Sequence, residues 1–391
     1  MTFYKKSSSL SSSLIAASLL VGALIYGGTA AALETTAREA ILIDIETGEA
    51  LLEKNADNLM PPASMSKLMT LYILFQRLRD GSLKLDDTFT VSERAWRVGG
   101  AKSGSSTMFL VPKKKVAVED LIRGIIVQSG NDACIVVAEG LAGSEEAFAE
   151  EMTAQAKEMG MTNSTFKNST GWPDPEHLMT PRDLAILAKR IILDFPEYYH
   201  YFKENEFTYN GIKQHNRNPL IYKNIGADGL KTGYTEESGY GLTASVKRGD
   251  RRLILVVNGL ASKKARAIEP ERLLVWGLRE FNNYALFKAG EQVDTASVWL
   301  GESKTVPLLI TRDVKITLPR KSRKKMKVSV SFSGPIPAPI SKGAEIAKLT
   351  ITAPGREAME IPLIAGSDVE QLGLIGRLGA AFESIVWGNS G

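Results

Sequence analysis

The chain has 391 residues, 44% hydrophobic and 24% charged, enough for two domains and too rich in core formers for a disordered chain. Its net charge of +4 is too small for whole-molecule attraction to nucleic acid, so no nucleic-acid partner is expected. The single cysteine, Cys134, excludes an intramolecular disulfide, and His177, His200 and His215 lack HExxH or CxxC company, so neither metal nor cofactor is expected.

Taken in chain order, the first signal is at the N-terminus. Lys5 and Lys6 precede an apolar, Ser-rich run from Leu10 to Ile25, then small residues at Ala30 and Ala32. This is the pattern of an export signal, residues 1–32, cleaved near Ala32. An uncleaved anchor is the alternative, but the run is shorter and more polar than the about 20 apolar residues a spanning helix needs. Export with one cysteine suits a bacterial envelope enzyme whose stability comes from its cores.

AILIDIETGEALLEKNA, Ala40 to Ala56, reads as two short strands with ETGE as the turn and Gly48 at positive φ. Ser64–Leu78, Val118–Leu141 (broken at QSGND) and Glu145–Met159 carry apolar residues at helical spacing. Thr180-Pro181-Arg182-Asp183 reads as a helix start. GYGLTASV and RRLILVVNGL read as an antiparallel hairpin around Arg248-Gly249-Asp250, and PERLLVWGLREFNNY, Pro270–Tyr284, as a closing helix. Strands at both ends with helices between predict an α/β unit whose ends share a sheet.

From about Gly290 short strands alternate with Gly, Pro and charged turns, the texture of a small all-β sandwich. The expected divisions are 33–288, 289–368 and a tail, 369–391. A basic run, Thr311 to Lys327, reads as a solvated strand edge or turn, with a patch for anionic lipid or wall polymer as the alternative. In the tail, Leu374, Ile375, Leu378, Phe382, Ile385 and Val386 form one stripe, with Trp387 beside it. Such a helix docks on its own domain or lies in a membrane interface.

Ser-x-x-Lys occurs at Ser64, Ser164 and Ser322, so the spacing alone says little. The setting of Ser64, in PPASMSKLMT, says more. At the first turn of a helix its hydroxyl lies near unpaired backbone N–H groups, and Lys67 falls on the same face within reach of it. A serine needs a base to take its proton, and a buried lysine beside a second cation can be one. Ser129-Gly130-Asn131 sits at the break in an apolar helix, where a hydroxyl and an amide would face a cleft. Lys231-Thr232-Gly233 precedes a strand, with a lysine for charge, a threonine to hold a carboxylate and a glycine for close backbone approach. S-x-N and K-T-G each occur once, in that order after Ser64, and no G-x-S-x-G elbow is present.

This trio resembles that of penicillin-binding proteins and serine β-lactamases, in particular the low-molecular-mass D-alanyl-D-alanine carboxypeptidases. SGSSTMFL, IRGIIVQSGNDAC, GLKTGYTEESGYGLTAS and the WG of LLVWGLREF extend the likeness over nearly the whole exported chain. The resemblance implies a β-lactamase/DD-peptidase-like α/β domain, an antiparallel sheet with a helical subdomain, followed by the β-sandwich and an amphipathic membrane tail. It implies removal of the terminal D-alanine from peptidoglycan stem peptides ending in D-Ala-D-Ala, acylation by β-lactams, and a periplasmic location on the outer face of the inner membrane. By position, Ser64 is the nucleophile, Lys67 its base, and Ser129 and Asn131 shuttle protons and hold the substrate amide. Lys231 and Thr232 bind the carboxylate side beside Gly233, and the N–H groups of Ser64 and Tyr234 form the oxyanion hole. Arg266, in SKKARAIEP, stands where relatives place a carboxylate-binding arginine; pairing with Glu269 is its alternative.

Tyr234 departs from relatives that carry histidine there. No E-x-x-L-N stretch supplies the deacylating glutamate of class A β-lactamases, so penicillin is expected to leave slowly. A DD-endopeptidase or β-lactamase on the same fold, or a non-catalytic wall-binding protein, are the rival functions. Cys134 reads as a packed side chain, or as a thiol beside the cleft.

Overall fold

The computed structural model describes residues 33–379. The export segment and the tail positions Phe382, Ile385, Val386 and Trp387 lie outside these residues.

β1 (Glu39–Asp44) is buried throughout and turns at Gly48, φ 74°, into β2 (Ala50–Lys54). A 3-10 turn, Ala63–Ser66, leads into α1 (Lys67–Arg79). β3 (Thr88–Thr90), α2 (Glu93–Gly99) and β4 (Lys115–Ala117) form an excursion closed by pairing of its two strands. α3 (Val118–Arg123), α4 (Asn131–Ala142), α5 (Glu145–Glu158) and α6 (Pro181–Asp194) complete the helical part. The apolar stretch from Val118 breaks where expected: a π-helical turn, Gly124–Gln128, ends at Ser129 and α4 restarts at Asn131. Thr180 caps α6 by accepting from the Asp183 N–H at 3.1 Å, with Pro181 in the first turn.

A small hairpin, β5 (Glu206–Tyr209) and β6 (Ile212–His215), precedes β7 (Ala227–Thr235), β8 (Gly239–Arg248) and β9 (Arg251–Leu260). The main sheet runs β2-β1-β9-β8-β7, and β1 pairs antiparallel with β9, so the first and last strands do share one sheet. Period-2 alternation in β9 serves two layers. Ile254 and Val256 join the large core under α1, α4 and α6. Leu253 faces the other way, under α7 (Lys263–Glu280), where a Cβ on Gly277 would come within 2.8 Å of Leu42 and 2.9 Å of Leu253.

The closing helix departs from expectation. It begins at Lys263, capped by Ser262 accepting from the Ala265 N–H at 3.0 Å, and carries Pro270 inside it. FNNY does not continue it. Tyr284 and Leu286, two apart, pack on a second core, a strand pattern hidden in an apolar run. The remaining strands are β10 (Phe281–Phe287), β11 (Gln292–Trp299), β12 (Thr305–Ile310), β13 (Val314–Pro319), β14 (Lys327–Ser331), β15 (Ile336–Pro337), β16 (Glu345–Thr352) and β17 (Met359–Ala365). A β10–β13 pair and a six-stranded sheet, β14-β16-β17-β12-β11-β15, enclose that core, which includes Val306, Leu308, Ile316, Leu318, Leu349 and Leu363. The all-β texture from Gly290 is thus a sandwich of unequal sheets.

The ETGE turn is also the dock for the sandwich. Arg356 pairs with Glu49 at 2.6 Å, Lys315 pairs with Glu46, and the Thr47 and Thr317 hydroxyls share a hydrogen bond. Arg251 bridges Asp44 at 2.8 Å and donates to the Phe281 carbonyl at 2.7 Å. At the far end the Leu372 N–H donates to the Leu300 carbonyl, and residues 374–379 are helical with Leu374, Ile375 and Leu378 exposed. Among the described residues no helix is long and apolar enough to cross a membrane.

Candidate active site

The site gathers where α1, the break before α4 and the edge strand β7 meet. Ser64 lies in the 3-10 turn and Lys67 opens α1, so the two stand one turn apart. Lys67 is fully buried; its Nζ donates to Ser64 Oγ at 2.9 Å and to the Thr170 carbonyl. Burial pulls its pKa down to about 8. The other Ser-x-x-Lys pairs are occupied differently: Ser164 donates to Asp183, Lys167 pairs with Glu176, and Ser322 lies in a basic surface turn.

Backbone strain marks both flanks. Ala63 has φ 49° and Ser129 φ 64°, a left-handed conformation that costs a side-chain-bearing residue energy and recurs at functional sites. Ser129 Oγ and Asn131 Oδ1 are buried without a partner among the described residues, groups held ready for a ligand. Asp132 anchors the wall beside them, its carboxylate accepting from Thr107 Oγ1 at 2.6 Å and from the N–H groups of Met108, Leu110 and Ala133.

From β7, Lys231 is buried and its pKa sits well below the usual lysine range through burial and the neighbouring charges of Lys67 and Arg217. Gly233 has a reason the sequence did not supply. A Cβ there would approach Pro62 O to 2.9 Å and Met65 Cγ to 3.2 Å, so glycine lets the strand close on the Ser64 turn. Tyr234 is half exposed and stacks on Tyr240, ring centroids 4.2 Å apart. Its pKa is raised by Tyr240, so it stays neutral at pH values where a histidine would titrate.

Arg266, in the first turns of α7, donates to the Gly233 carbonyl at 3.1 Å and lies over the Tyr240 ring. Among the described residues Arg266 makes no ion pair with Glu269, which pairs with Arg272 at 2.7 Å. These groups line a cleft of about 560 Å³. Ser64, Ser129, Thr232, Gly233, Tyr234 and Arg266 face it; Lys67, Asn131 and Lys231 lie buried behind. Sequence reasoning missed Arg217, Tyr240 and Lys263, which also line it. Arg217 donates to Ser106, which faces it from 111 positions away, so no local motif announces it. Cys134 is packed in α4, and burial pushes its thiol up to about 12.

A half-exposed serine hydrogen-bonded to a buried, readily neutral lysine, under an antiparallel edge strand and a cationic cleft wall, defines an active-site-serine hydrolase of the penicillin-binding type. The chain belongs to the D-alanyl-D-alanine carboxypeptidase family, whose model matches residues 27–262, and residues 281–371 match the C-terminal domain of penicillin-binding protein 5. It is 41% identical to the D-alanyl-D-alanine carboxypeptidase DacC of Escherichia coli, over 90% of this chain and 91% of that one. DacA of the same organism is 37% identical over 88% and 86%. Penicillin-binding protein 5 from Haemophilus influenzae superposes with a TM-score of 0.76 at 36% identity, covering 87% of this chain and 99% of that one. The enzyme class is therefore D-alanyl-D-alanine carboxypeptidase.

Proposed function

We propose that Ser64 is the nucleophile that removes the terminal D-alanine from stem peptides ending in D-Ala-D-Ala. The observation that carries this is the 2.9 Å contact between Ser64 Oγ and the buried Nζ of Lys67. In its neutral form Lys67 accepts the Ser64 proton as Oγ bonds to the carbonyl carbon between the two D-alanines. The Ser64 and Tyr234 N–H groups receive the oxyanion. Collapse breaks the C–N bond, and Lys67 passes the proton it took from Ser64 to the leaving amine through Ser129, which returns Lys67 to its neutral form. Water, losing a proton to Lys67, then cleaves the Ser64 ester and restores the hydroxyl. Asn131 holds the substrate amide, while Thr232, Arg266 and Arg217 hold the terminal carboxylate, with Lys231 buried behind them.

β-Lactams acylate the same Ser64. Fluorescent penicillin is expected to label the wild type covalently and Ser64→Ala not at all; labelling that survives the substitution refutes the nucleophile. D-alanine release from a pentapeptide, with the same control, tests the reaction itself.

The export signal and the apolar stripe of the tail support a periplasmic enzyme resting on the outer face of the inner membrane.

A further inference from the structure

α7 links two features that the reaction does not use together. Its first turns, with Lys263 and Arg266, stand at the cleft. Its last turn meets the basic run, Arg320 Nε donating to the Arg279 carbonyl at 2.8 Å. The helix has 18 residues, so these ends are about 26 Å apart. Lys264, Ile268, Arg272 and Arg279 recur along its exposed face at helical spacing, with Trp276 half-buried beside them.

The far end carries uncompensated charge. Arg320–Lys327 holds six cations in eight residues. Among the described residues none of Arg279, Arg320, Lys321, Arg323, Lys324, Lys325 and Lys327 stands in an ion pair, whereas nearby Lys315, Lys348 and Arg356 each have a carboxylate. The patch is held in shape: Arg320–Lys325 forms a 3-10 turn, pinned by the Arg320 bond and by the Arg323 guanidinium 5.2 Å over Tyr284. Like charges fixed this densely favour a bound polyanion.

Position narrows the partner. In the six-stranded sheet Lys327 sits at the end marked by Thr352 and Met359, whereas the chain leaves for the tail from Leu300, at the Thr305 end. β16 alone, with eight residues, separates those ends by about 26 Å, several Debye lengths at physiological salt. A surface that holds the tail is not the surface at the patch.

We infer that the exposed face of α7 and the Arg320–Lys327 patch form a docking track for the anionic wall polymer itself, a peptidoglycan strand with free stem-peptide carboxylates. One stem peptide enters the cleft while the strand lies along α7, its sugar faces on Ile268 and Trp276 and its carboxylates on the patch. The choice of polymer rests on the carboxypeptidase reading; the charge and its placement do not.

The test pelletes the full chain with lipid-free peptidoglycan sacculi at low and high salt, comparing wild type with a combined Lys321→Gln, Arg323→Gln, Lys324→Gln, Lys325→Gln variant of unchanged melting temperature. Lys264→Gln with Arg279→Gln samples the helix face. Wild type is expected to pellet at low salt and release at high salt, and the four-site variant to bind about tenfold more weakly. D-alanine release from a soluble pentapeptide stays the same. Equal pelleting of wild type and both variants overturns the track, as does an equal loss on pentapeptide and sacculi. Dependence on these residues for phosphatidylglycerol vesicles but not for sacculi overturns it in favour of a membrane contact. Wild type that pellets through the patch yet frees no D-alanine from pentapeptide leaves the track standing and sinks the carboxypeptidase reading.

Discussion

Lys67 has no wet face, and that governs when it can work. Burial holds its pKa at about 8, so below that pH most of the population carries a proton and cannot take one from Ser64. Penicillin acylation is therefore expected to rise about tenfold per pH unit below 8 and level off above it, read by stopped-flow labelling across a pH series. Lys67→Arg keeps the cation but stays protonated, and acylation should fall on the order of 10³-fold. A flat profile in the wild type would remove Lys67 from the base role. The residues of this centre were legible because three short motifs follow in fixed order, each with a side chain suited to acyl transfer. Arg217 and Tyr240 were not, since each enters through tertiary contact: Arg217 meets Ser106, and Tyr240 is reached through its stack on Tyr234.

At the scale of elements, the segment between α5 and α6 shapes the floor of the site. Asn168 Oδ1 accepts from the N–H groups of Thr170, Gly171 and Trp172, Ser169 donates to Glu145 at 2.7 Å, and the Thr170 carbonyl holds Lys67. Gly171, at φ 74°, presses so closely on Ala63 that a Cβ would lie 2.0 Å from its carbonyl oxygen. His177 closes the segment, buried and neutral, its Nδ1 accepting from the Lys167 N–H while burial lowers its pKa to about 4. In the unfolded chain that pKa returns to 6.5, so between 6.5 and 4 the unfolded state takes a proton the native state refuses. The stability is complete above pH 6.5 and drains as pH falls to 4, by up to about 3 kcal/mol. His177→Gln should flatten the urea-midpoint slope in that window; an unchanged slope would place the acid sensitivity elsewhere. Strands and helices with a single clean period were read correctly here. FNNY was not, because an apolar run that ends a helix and starts a strand carries both periods at once, and only pairing with β13 decides.

For the whole molecule, the two cores were foreseen from the change of texture near Gly290, but their junction was not. It is built from polar pairs, Arg356 with Glu49 and Lys315 with Glu46, whose partners lie far apart in sequence and leave no hydropathy signal. The tail is the remaining large-scale expectation. Leu374, Ile375 and Leu378 are 74%, 89% and 72% exposed, apolar surface with no cover among the described residues. Deleting Leu372 to Gly391 is expected to abolish flotation with liposomes while leaving pentapeptide hydrolysis intact. Flotation that survives the deletion would refute the anchor.

The left-handed backbone at Ala63 and Ser129 reaches beyond catalysis. Glycine at either position would relieve about 1 kcal/mol of conformational cost, since it adopts positive φ freely. A laboratory selection for heat resistance that never asked for turnover would drift toward glycine at these sites, loosening one flank of Ser64 and deleting the hydroxyl on the other. The sturdiest descendants of this enzyme would then be the ones penicillin acylates most slowly.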